Sequence, residues 1–372
     1  MCCINLKLSM RLFMSSSKNY NCYPSLREGL RERKQKNTIF GTALIALIIA
    51  LFYSENSYSQ GCCSGGSGSP IAGGASQGVL LDRQMEISTN FQHISGNKFL
   101  YHDQDTASLF DQFNTNYLYT RIAYGVTKDF TMSIESGYFI NKTQIGLDGI
   151  DTVSSSGIAD LILFPRYDIY NHTEETKRTE ITIGLGYKIP LGNYNDSTVV
   201  YTNPNTGKQY FTTSPPIVQP TNGSHDFIFY AFFFRGYPLK KFRVFANALY
   251  VKKGWNALGE KFGDYASVGL FAGKTFFKKL GVTVQLKGEW IDKMQYDKKI
   301  DLLALYNVDV ESTGSKKIFF VPQLSYSFKK LTVYALSEIP LYQYVNKIQV
   351  ASQFQITFGL SYRFLTYKTV TE

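Results

Sequence analysis

The chain has no cysteine after residue 63. Its five cysteines are Cys2, Cys3, Cys22, Cys62 and Cys63. No disulfide can therefore form within residues 64–372. An exported protein of this composition needs another source of stability, such as a closed ring of hydrogen-bonded strands.

Long apolar segments are also scarce. The one continuous apolar run extends from Ile39 to Tyr53, and its 15 residues fall short of the roughly 20 that an α-helix needs to span a bilayer. This argues strongly against a bundle of membrane-spanning helices. A chain that is rich in aromatics and yet polar on average is instead typical of strands with one face toward lipid and the other toward water.

Charged residues make up only 18% of the chain, against a typical quarter. The 28 Phe and 27 Tyr residues exclude a disordered chain, because so many aromatic side chains need an apolar environment. The formal net charge is +10, and residues 1–59 contribute half of it. Much of the remaining basic charge lies in lysine pairs at predicted turns, so no nucleic-acid partner is expected.

The N-terminal region predicts a cleaved export signal. Basic residues at Arg31, Arg33, Lys34 and Lys36 precede the apolar run, and small residues follow it in Ser57-Tyr58-Ser59. We expect residues 38–59 to be the h- and c-region of a signal peptide, cleaved after Ser59. Residues 1–37 form an unusually long extension, which a start codon placed too early would explain. An uncleaved membrane anchor is the alternative.

Residues 60–84 are predicted to be a Gly- and Ser-rich periplasmic linker or a hatch that enters the barrel. Their adjacent Cys62 and Cys63 are most simply incidental thiols in a flexible segment. Lipid attachment at Cys62 and a soft-metal or redox site are the alternatives. Two thiols without a His or a further Cys make an incomplete metal site, so these residues are weak metal candidates.

Alternation of apolar and polar residues predicts long β-strands in the remainder of the chain. From Gln353 to Phe364 the alternation holds for twelve residues, whereas strands of soluble proteins cluster near five or six. Membrane strands need about nine to eleven residues. The same pattern predicts twelve strands, near 85–95, 114–126, 130–140, 157–170, 179–190, 226–237, 242–251, 265–276, 280–291, 316–328, 331–341 and 352–365.

The connections between these strands alternate between short and long. This alternation is typical of an outer-membrane barrel, which has short periplasmic turns and longer external loops. We therefore predict an all-β fold, a transmembrane antiparallel up-and-down β-barrel of about 12 strands over residues 85–365. Residues 366–372 would form a C-terminal tail, and both termini would be periplasmic. Because proline lacks a ladder donor, bulges are expected at Pro165 and Pro322.

Three short segments resemble an outer-membrane β-barrel transporter family of the phenol-degradation meta-pathway type. They are Gly157-Ile158-Ala159-Asp160-Leu161-Ile162-Leu163, the run from Gly186 to Tyr194, and Phe358-Gly359-Leu360-Ser361-Tyr362-Arg363-Phe364. The resemblance spans roughly residues 78–365. It implies passage of small molecules, apolar ones among them, and supplies no substrate site. The chain departs from the family in continuing beyond the terminal aromatic, from Leu365 to Glu372.

Charged residues in the predicted strands are expected to face the lumen, because a charge toward hydrocarbon at mid-depth costs ~2–4 kcal/mol. Their mixed signs predict pairing across strands and not a selectivity ring. They either fill and stiffen a narrow barrel or form a polar constriction for small solutes. The candidates are Glu86, Arg121, Glu135, Asp160, Arg166, Asp168, Glu180, Lys188, Arg243, Lys287, Glu289 and Arg363.

Enzyme chemistry has one weak candidate. His93-Ile94-Ser95 has the two-residue spacing of barrels that hydrolyse lipid, but spacing alone assigns no residue to orient the His. The other histidines, His102, His172 and His225, are far apart in sequence and lack the spacing of metal ligands. We therefore expect neither an enzyme nor a cofactor.

The sequence thus predicts a passive transporter or channel for small molecules in the outer membrane of a Gram-negative bacterium. A structural or adhesive barrel with ligand-binding loops is the main alternative, and an outer-membrane lipid hydrolase is a remote one. The expected partners are outer-membrane lipid, a small-molecule solute, and the barrel-assembly machinery during biogenesis.

Overall fold

The computed structural model describes residues 78–149, 152–299 and 309–367. Twelve antiparallel strands form one barrel, which is closed because the first strand pairs with both the second and the last. The strands are β1 (Gln84–Gly96), β2 (Gln112–Gly125), β3 (Phe130–Ile145), β4 (in two segments, Val153–Ile158 and Leu161–Thr173), β5 (Arg178–Ile189), β6 (Asp226–Tyr237), β7 (Phe242–Lys252), β8 (Tyr265–Phe276), β9 (Leu280–Ile291), β10 (Ser315–Phe328), β11 (Leu331–Val345) and β12 (Phe354–Leu365). The predicted all-β barrel of twelve strands is confirmed.

Burial follows the two-residue period of a strand. In β12, Phe358, Leu360 and Tyr362 are exposed while Thr357 and Ser361 are buried, because successive side chains point to opposite faces. Each of the twelve strands carries large exposed apolar side chains. The barrel therefore has an apolar outer surface and a more polar interior.

The short connections lie at one end of the barrel. In three of them a lysine takes a left-handed conformation: Lys241 has a φ of 50°, Lys278 of 61° and Lys329 of 52°. Such turns reverse the chain within a few residues and match the twist of the flanking strands. Both ends of the described barrel lie here, since Thr366 donates to the carbonyl oxygen of Arg83 over 2.9 Å.

The long connections at the other end carry small sheets of their own. Phe99–Tyr101, Gln104–Thr106 and Ile348–Val350 form a three-stranded sheet, Ser197–Thr202 pairs with Gln209–Thr213, and Glu260–Lys261 pairs with Gln295–Tyr296. Three-residue 3-10 turns lie in these long connections at Leu147–Gly149, Pro216–Val218 and Val310–Ser312, and in a short turn at Pro238–Lys240. No helix in the described part of the chain is long and apolar enough to cross a membrane.

The prediction of bulges at Pro165 and Pro322 is wrong. The pairing of β4 with β5 keeps its register across Pro165, and that of β9 with β10 keeps it across Pro322. A missing N–H removes one ladder bond but inserts no extra residue, so the strand stays in phase. The register shifts instead near Asp168, and opposite the step from Ile318 to Phe319.

Two glycines of β5 make room for an aromatic ring in the interior. A Cβ atom at Gly184 would lie 3.0 Å from the Phe164 ring, and one at Gly186 would lie 2.9 Å from it. A larger residue at either position would displace the ring, which is fully buried. These glycines explain how the ring fits among β4, β5 and β6.

Candidate functional site in the barrel interior

Charged side chains meet across the interior. The Lys287 ammonium on β9 lies 2.9 Å from the Glu338 carboxylate on β11, although β10 separates these two strands in the sheet. The same ammonium lies 3.4 Å from Glu289, whose carboxylate accepts a hydrogen bond of 3.0 Å from the Tyr265 hydroxyl. Such a contact between non-neighbouring strands is possible only through the space that the barrel encloses.

A second charged cluster joins the first three strands to the last. The Glu86 carboxylate accepts hydrogen bonds from Arg121 and from Arg363, so it bridges β2 and β12. On β3, the Glu135 carboxylate accepts hydrogen bonds from the Tyr119 hydroxyl and, over 2.8 Å, from Ser133. Opposite charges in direct contact lower the free energy of each in this low-dielectric interior.

Arg166 of β4 lies beside this cluster and is 1% exposed. Its guanidinium carbon is 5.7 Å from the centroid of the Phe164 ring, within the range of a cation–π contact. A buried arginine of this kind occupies interior volume with a rigid, permanently charged group. Together with Arg121 it fills part of the barrel interior.

A third cluster lies at the end of the long connections. The Lys188 ammonium contacts the carboxylates of Asp160 and Asp226, each at 2.8 Å, and donates to the side-chain oxygen of Asn222 at 2.6 Å. Lys253 reaches the same Asp226 carboxylate at 2.9 Å. Burial lowers the pKa of Lys253, the nearby Lys188 lowers it further, and Asp226 opposes both effects.

Part of the connection between β5 and β6 lies in this mouth. Lys142 donates to the backbone oxygen of Gln219 over 2.7 Å, and Ser155 donates to that of Val218. The Val218 side chain is fully buried, as is Ser224. Residues 215–224 therefore constrict the barrel at its long-loop end.

The N-terminal segment enters the opposite mouth. The Leu80 amide donates to the Thr131 hydroxyl over 2.7 Å, and the Val79 amide to the Glu180 carboxylate over 3.3 Å. Thr131 and Glu180 lie at the short-turn ends of their strands, and the Leu80 side chain is buried. Residues 78–81 thus constrict the short-turn end, whereas residues 60–77, with Cys62 and Cys63, lie outside the described part of the chain.

The remaining charged candidates pair locally near the short-turn end. Asp168 accepts a hydrogen bond of 3.0 Å from Thr182, and Arg178 lies 2.9 Å from Glu180. Arg243 donates to the Thr275 hydroxyl over 3.3 Å. The twelve charged candidates therefore do not form one site but are divided among the clusters at the two mouths and in the middle.

The interior also carries aromatic and aliphatic side chains, on β4, β6, β7 and β8. The rings of Phe245 and Phe271 stack at 4.3 Å between centroids, and the Phe164 ring meets the Tyr230 ring edge-on at 5.5 Å. This cluster comprises buried Ile162, Phe164, Ile228, Tyr230, Phe232, Phe245, Leu249, Val251, Tyr265 and Phe271. These side chains are buried against one another and against their neighbours.

The sequence analysis missed several charged residues of the interior and the mouths, among them Lys142, Asp226, Lys253, Lys317 and Glu338. Ile140 is an extra residue in β3, which reverses the alternation before Lys142. The phase around Asp226 is ambiguous in sequence, because phenylalanines occupy both faces of β6. Near Glu338, apolar residues on both faces of β11 hide the alternation.

The histidines of the loops and turns do not come together. The His102 ring stacks on Tyr344 at 5.2 Å, His172 lies 3.5 Å from Glu174, and His225 hydrogen-bonds Tyr187 over 3.0 Å. No group of three or more His, Cys, Asp or Glu side chains within residues 78–149, 152–299 and 309–367 has the geometry of a metal site.

No protein-family model and no curated protein matches the sequence. Among solved structures, an outer membrane channel from Pseudomonas putida is similar, with a TM-score of 0.57 and 14% identity over 79% of this chain and 99% of that one. The KdgM porin has a TM-score of 0.35 and 10% identity over 74% of this chain and 99% of that one. A mutant of the TodX monoaromatic hydrocarbon channel has a TM-score of 0.35 and 10% identity over 77% and 91% of the two chains. The similarity to the first of these shows that the chain shares the β-barrel fold of an outer membrane channel.

Proposed function

We propose that this protein is a passive channel for small molecules, apolar and aromatic ones among them, in a bacterial outer membrane. The barrel exterior supports the membrane location. Exposed Ile, Leu, Phe and Tyr side chains occur on every strand, and water would not favour so continuous an apolar surface. In a bilayer the same surface contacts lipid, while strand closure satisfies the backbone hydrogen bonds.

The interior is the observation that carries the channel proposal. The interior carries both polar or charged groups and a cluster of aromatic and aliphatic side chains, so a solute in transit would meet both kinds of surface. The constrictions at residues 215–224 and 78–81 limit the size of what passes. Twelve strands enclose a modest interior, because barrel diameter grows with strand number.

The orientation follows from the length of the connections. We infer that the short turns face the periplasm and the long connections face the outside, as in outer-membrane barrels generally. Both barrel ends would then be periplasmic, where an exported N-terminus belongs. The constriction at residues 215–224 would be extracellular and the one at residues 78–81 periplasmic.

Conductance of the purified protein in planar bilayers tests the proposal. The Arg166→Ala variant removes a buried guanidinium from the passage, and we expect its single-channel conductance to exceed that of the native protein. Tyr167→Ala is the matched control, because the neighbouring Tyr167 side chain is 50% exposed on the outer face. A barrel that is silent in all three forms would contradict a channel.

Solute flux separates the channel from an adhesive barrel. Liposomes containing the protein should swell in sugars, amino acids or aromatic acids if these solutes pass. Loop-dependent surface binding without any swelling would favour the adhesive alternative. The pattern of solutes that cause swelling would define the cargo class.

A further inference from the structure

Three consecutive short turns share one sequence pattern. They join β6 to β7, β8 to β9 and β10 to β11, and these six strands are successive neighbours in the sheet. Because adjacent strands lie about 5 Å apart, successive turns are separated by only about 10 Å. At each turn an apolar residue is followed by two lysines, in Leu239-Lys240-Lys241, Phe277-Lys278-Lys279 and Phe328-Lys329-Lys330. We call these three segments the basic turns.

The charge of the basic turns has one sign. Residues 227–259, 265–288 and 315–337, which contain the three turns, have no Asp or Glu. Five of the six lysines are exposed, and no carboxylate among residues 78–149, 152–299 and 309–367 pairs with them; they are Lys240, Lys241, Lys278, Lys329 and Lys330. An uncompensated positive surface therefore follows half of the barrel rim.

The other half of the same rim is different. Three basic residues there lie beside acidic ones. The pairs are Lys128 with Asp129 at 3.9 Å, Lys177 with Glu174 at 3.2 Å, and Arg83 with Asp82 at 3.9 Å. The uncompensated positive charge of the short-turn end is thus concentrated on the basic turns.

Phe277 occupies a position that its turn does not favour. The Lys279 amide donates to the Phe276 carbonyl oxygen over 3.1 Å, and the two residues between them have positive φ angles, 48° at Phe277 and 61° at Lys278. Asn and Gly are preferred at such positions, because the left-handed conformation brings a Cβ atom close to a carbonyl oxygen. The Phe277 side chain is 87% exposed. Neither turn geometry nor packing against the described residues accounts for an aromatic ring here.

The basic turns lie at the depth of lipid headgroups. β8 and β9 have 12 residues each, and strands of this length with a tilt of about 40° rise about 30 Å across a membrane. The apolar band of a membrane barrel is about 25 Å tall. Exposed rings of Phe242, Phe276 and Phe328 adjoin the turns on the outer surface. The lysines therefore lie just beyond the edge of the apolar band.

We propose that the basic turns bind the headgroups of anionic phospholipids, such as phosphatidylglycerol. A phospholipid supplies both a phosphate for the lysines and hydrocarbon for the exposed Leu239 and Phe277 side chains. An anionic cell-wall polymer would supply only the negative charge. In the proposed orientation these lipids belong to the periplasmic leaflet. Their binding depends on membrane insertion of the barrel and not on solute passage.

Lipid retention by the purified full-length protein tests the proposal. Native mass spectrometry from micelles with equal amounts of phosphatidylglycerol and phosphatidylethanolamine counts the lipids of each kind that stay bound. Both lipids carry a phosphate, but only phosphatidylglycerol has a net charge. We expect bound phosphatidylglycerol to exceed phosphatidylethanolamine by at least about fivefold. High salt should reduce this preference, because it screens exposed charges.

Two variants that lose three positive charges each locate the binding. The first removes one lysine from each basic turn, by Lys240→Gln, Lys278→Gln and Lys329→Gln, and should retain the two lipids in equal amounts. The matched control changes the other half of the rim, by Arg83→Gln, Lys128→Gln and Lys177→Gln, and should keep the native preference. Folding of both is checked by the heat-modifiable mobility of the barrel on gels. Equal effects of the two variants, or no preference in the native protein, would overturn the proposal.

Phe277→Asn separates lipid binding from the stability of the turn. Because Asn is favoured at positive φ, the urea midpoint of this variant should not fall below that of the native protein. Retention of phosphatidylglycerol should fall several-fold, since the contact of the ring with hydrocarbon is lost. Unchanged retention would contradict the insertion of Phe277 among the acyl chains.

The lipid site and the channel can fail separately. A barrel that conducts but shows no preference for phosphatidylglycerol would contradict the lipid site alone. One that prefers phosphatidylglycerol but is silent in planar bilayers would contradict the channel alone. Capture of the native protein by isolated peptidoglycan, with loss of capture in the first variant and no lipid preference, would assign the basic turns to a cell-wall polymer instead.

Discussion

Glu86 is a buried charged residue at the place where the barrel closes. Its carboxylate binds Arg121 on one neighbouring strand and Arg363 on the other, at the seam where the first and last strands meet. Sequence alternation identified all three residues as interior candidates. It could not pair them, because β1 and β12 are distant in sequence and become neighbours only when the barrel closes.

Removing this carboxylate should destabilise the fold strongly. In Glu86→Gln, Arg121 and Arg363 lose the carboxylate that both contact, and removing one member of a buried pair costs about 3–5 kcal/mol. Urea unfolding in lipid vesicles measures the change in the free energy of unfolding. Glu174→Gln, at an exposed pair with Lys177, should change it by less than about 1 kcal/mol. Equal effects of the two substitutions would contradict the role of Glu86 in barrel closure.

Asp264, in the connection before β8, predicts a pH dependence. Burial alone raises the pKa of this carboxyl, but hydrogen bonds from Lys252, the Lys253 amide and Tyr250 outweigh it and hold the pKa below its usual value. A depressed carboxyl pKa stabilises the folded state above the unfolded pKa, and this contribution is lost as the pH falls through the folded pKa.

The Asp264→Asn variant should therefore unfold at lower urea concentration than the native protein at pH 7. The difference should shrink as the pH falls below about 4, where the carboxyl of the unfolded chain is protonated. Urea midpoints measured across this range test the prediction. A difference that stays constant into strong acid would show that the contribution of Asp264 is not electrostatic.

At the scale of elements, strands whose two faces differ in polarity were predictable. β12 and β9 have one apolar and one polar face, and their predicted bounds differ from the structure by two residues at most. β6 was ambiguous because its inner face is aromatic too: Phe232 packs in the interior while Phe229 and Phe233 are exposed. Periodicity carries information only when the two environments differ in polarity.

The N-terminal segment is an element with a predicted effect on conductance. If residues 78–81 constrict the periplasmic mouth, deletion of residues 60–80 should raise single-channel conductance. Deletion of residues 60–77 keeps the contacts of Val79 and Leu80 with Glu180 and Thr131, so it should leave conductance unchanged. Equal conductance of both deletions and the native protein would exclude this constriction.

At the scale of the whole molecule, the orientation in the membrane can be tested by labelling. We replace Cys62 and Cys63 with serine and introduce Asn205→Cys in a long connection or Lys329→Cys in a short turn. A membrane-impermeant maleimide should label position 205 on intact cells and position 329 only after lysis. Labelling of position 329 on intact cells would reverse the proposed orientation.

The sequence by itself determined the strand count, the short turns and most of the residues that face inward. These properties follow from the two-residue period of a strand, which depends only on local covalent geometry. Tertiary structure alone decided which charges meet, as with Lys287 and Glu338. Such contacts depend on register and on closure of the ring, and one extra residue such as Ile140 in β3 reverses the local alternation.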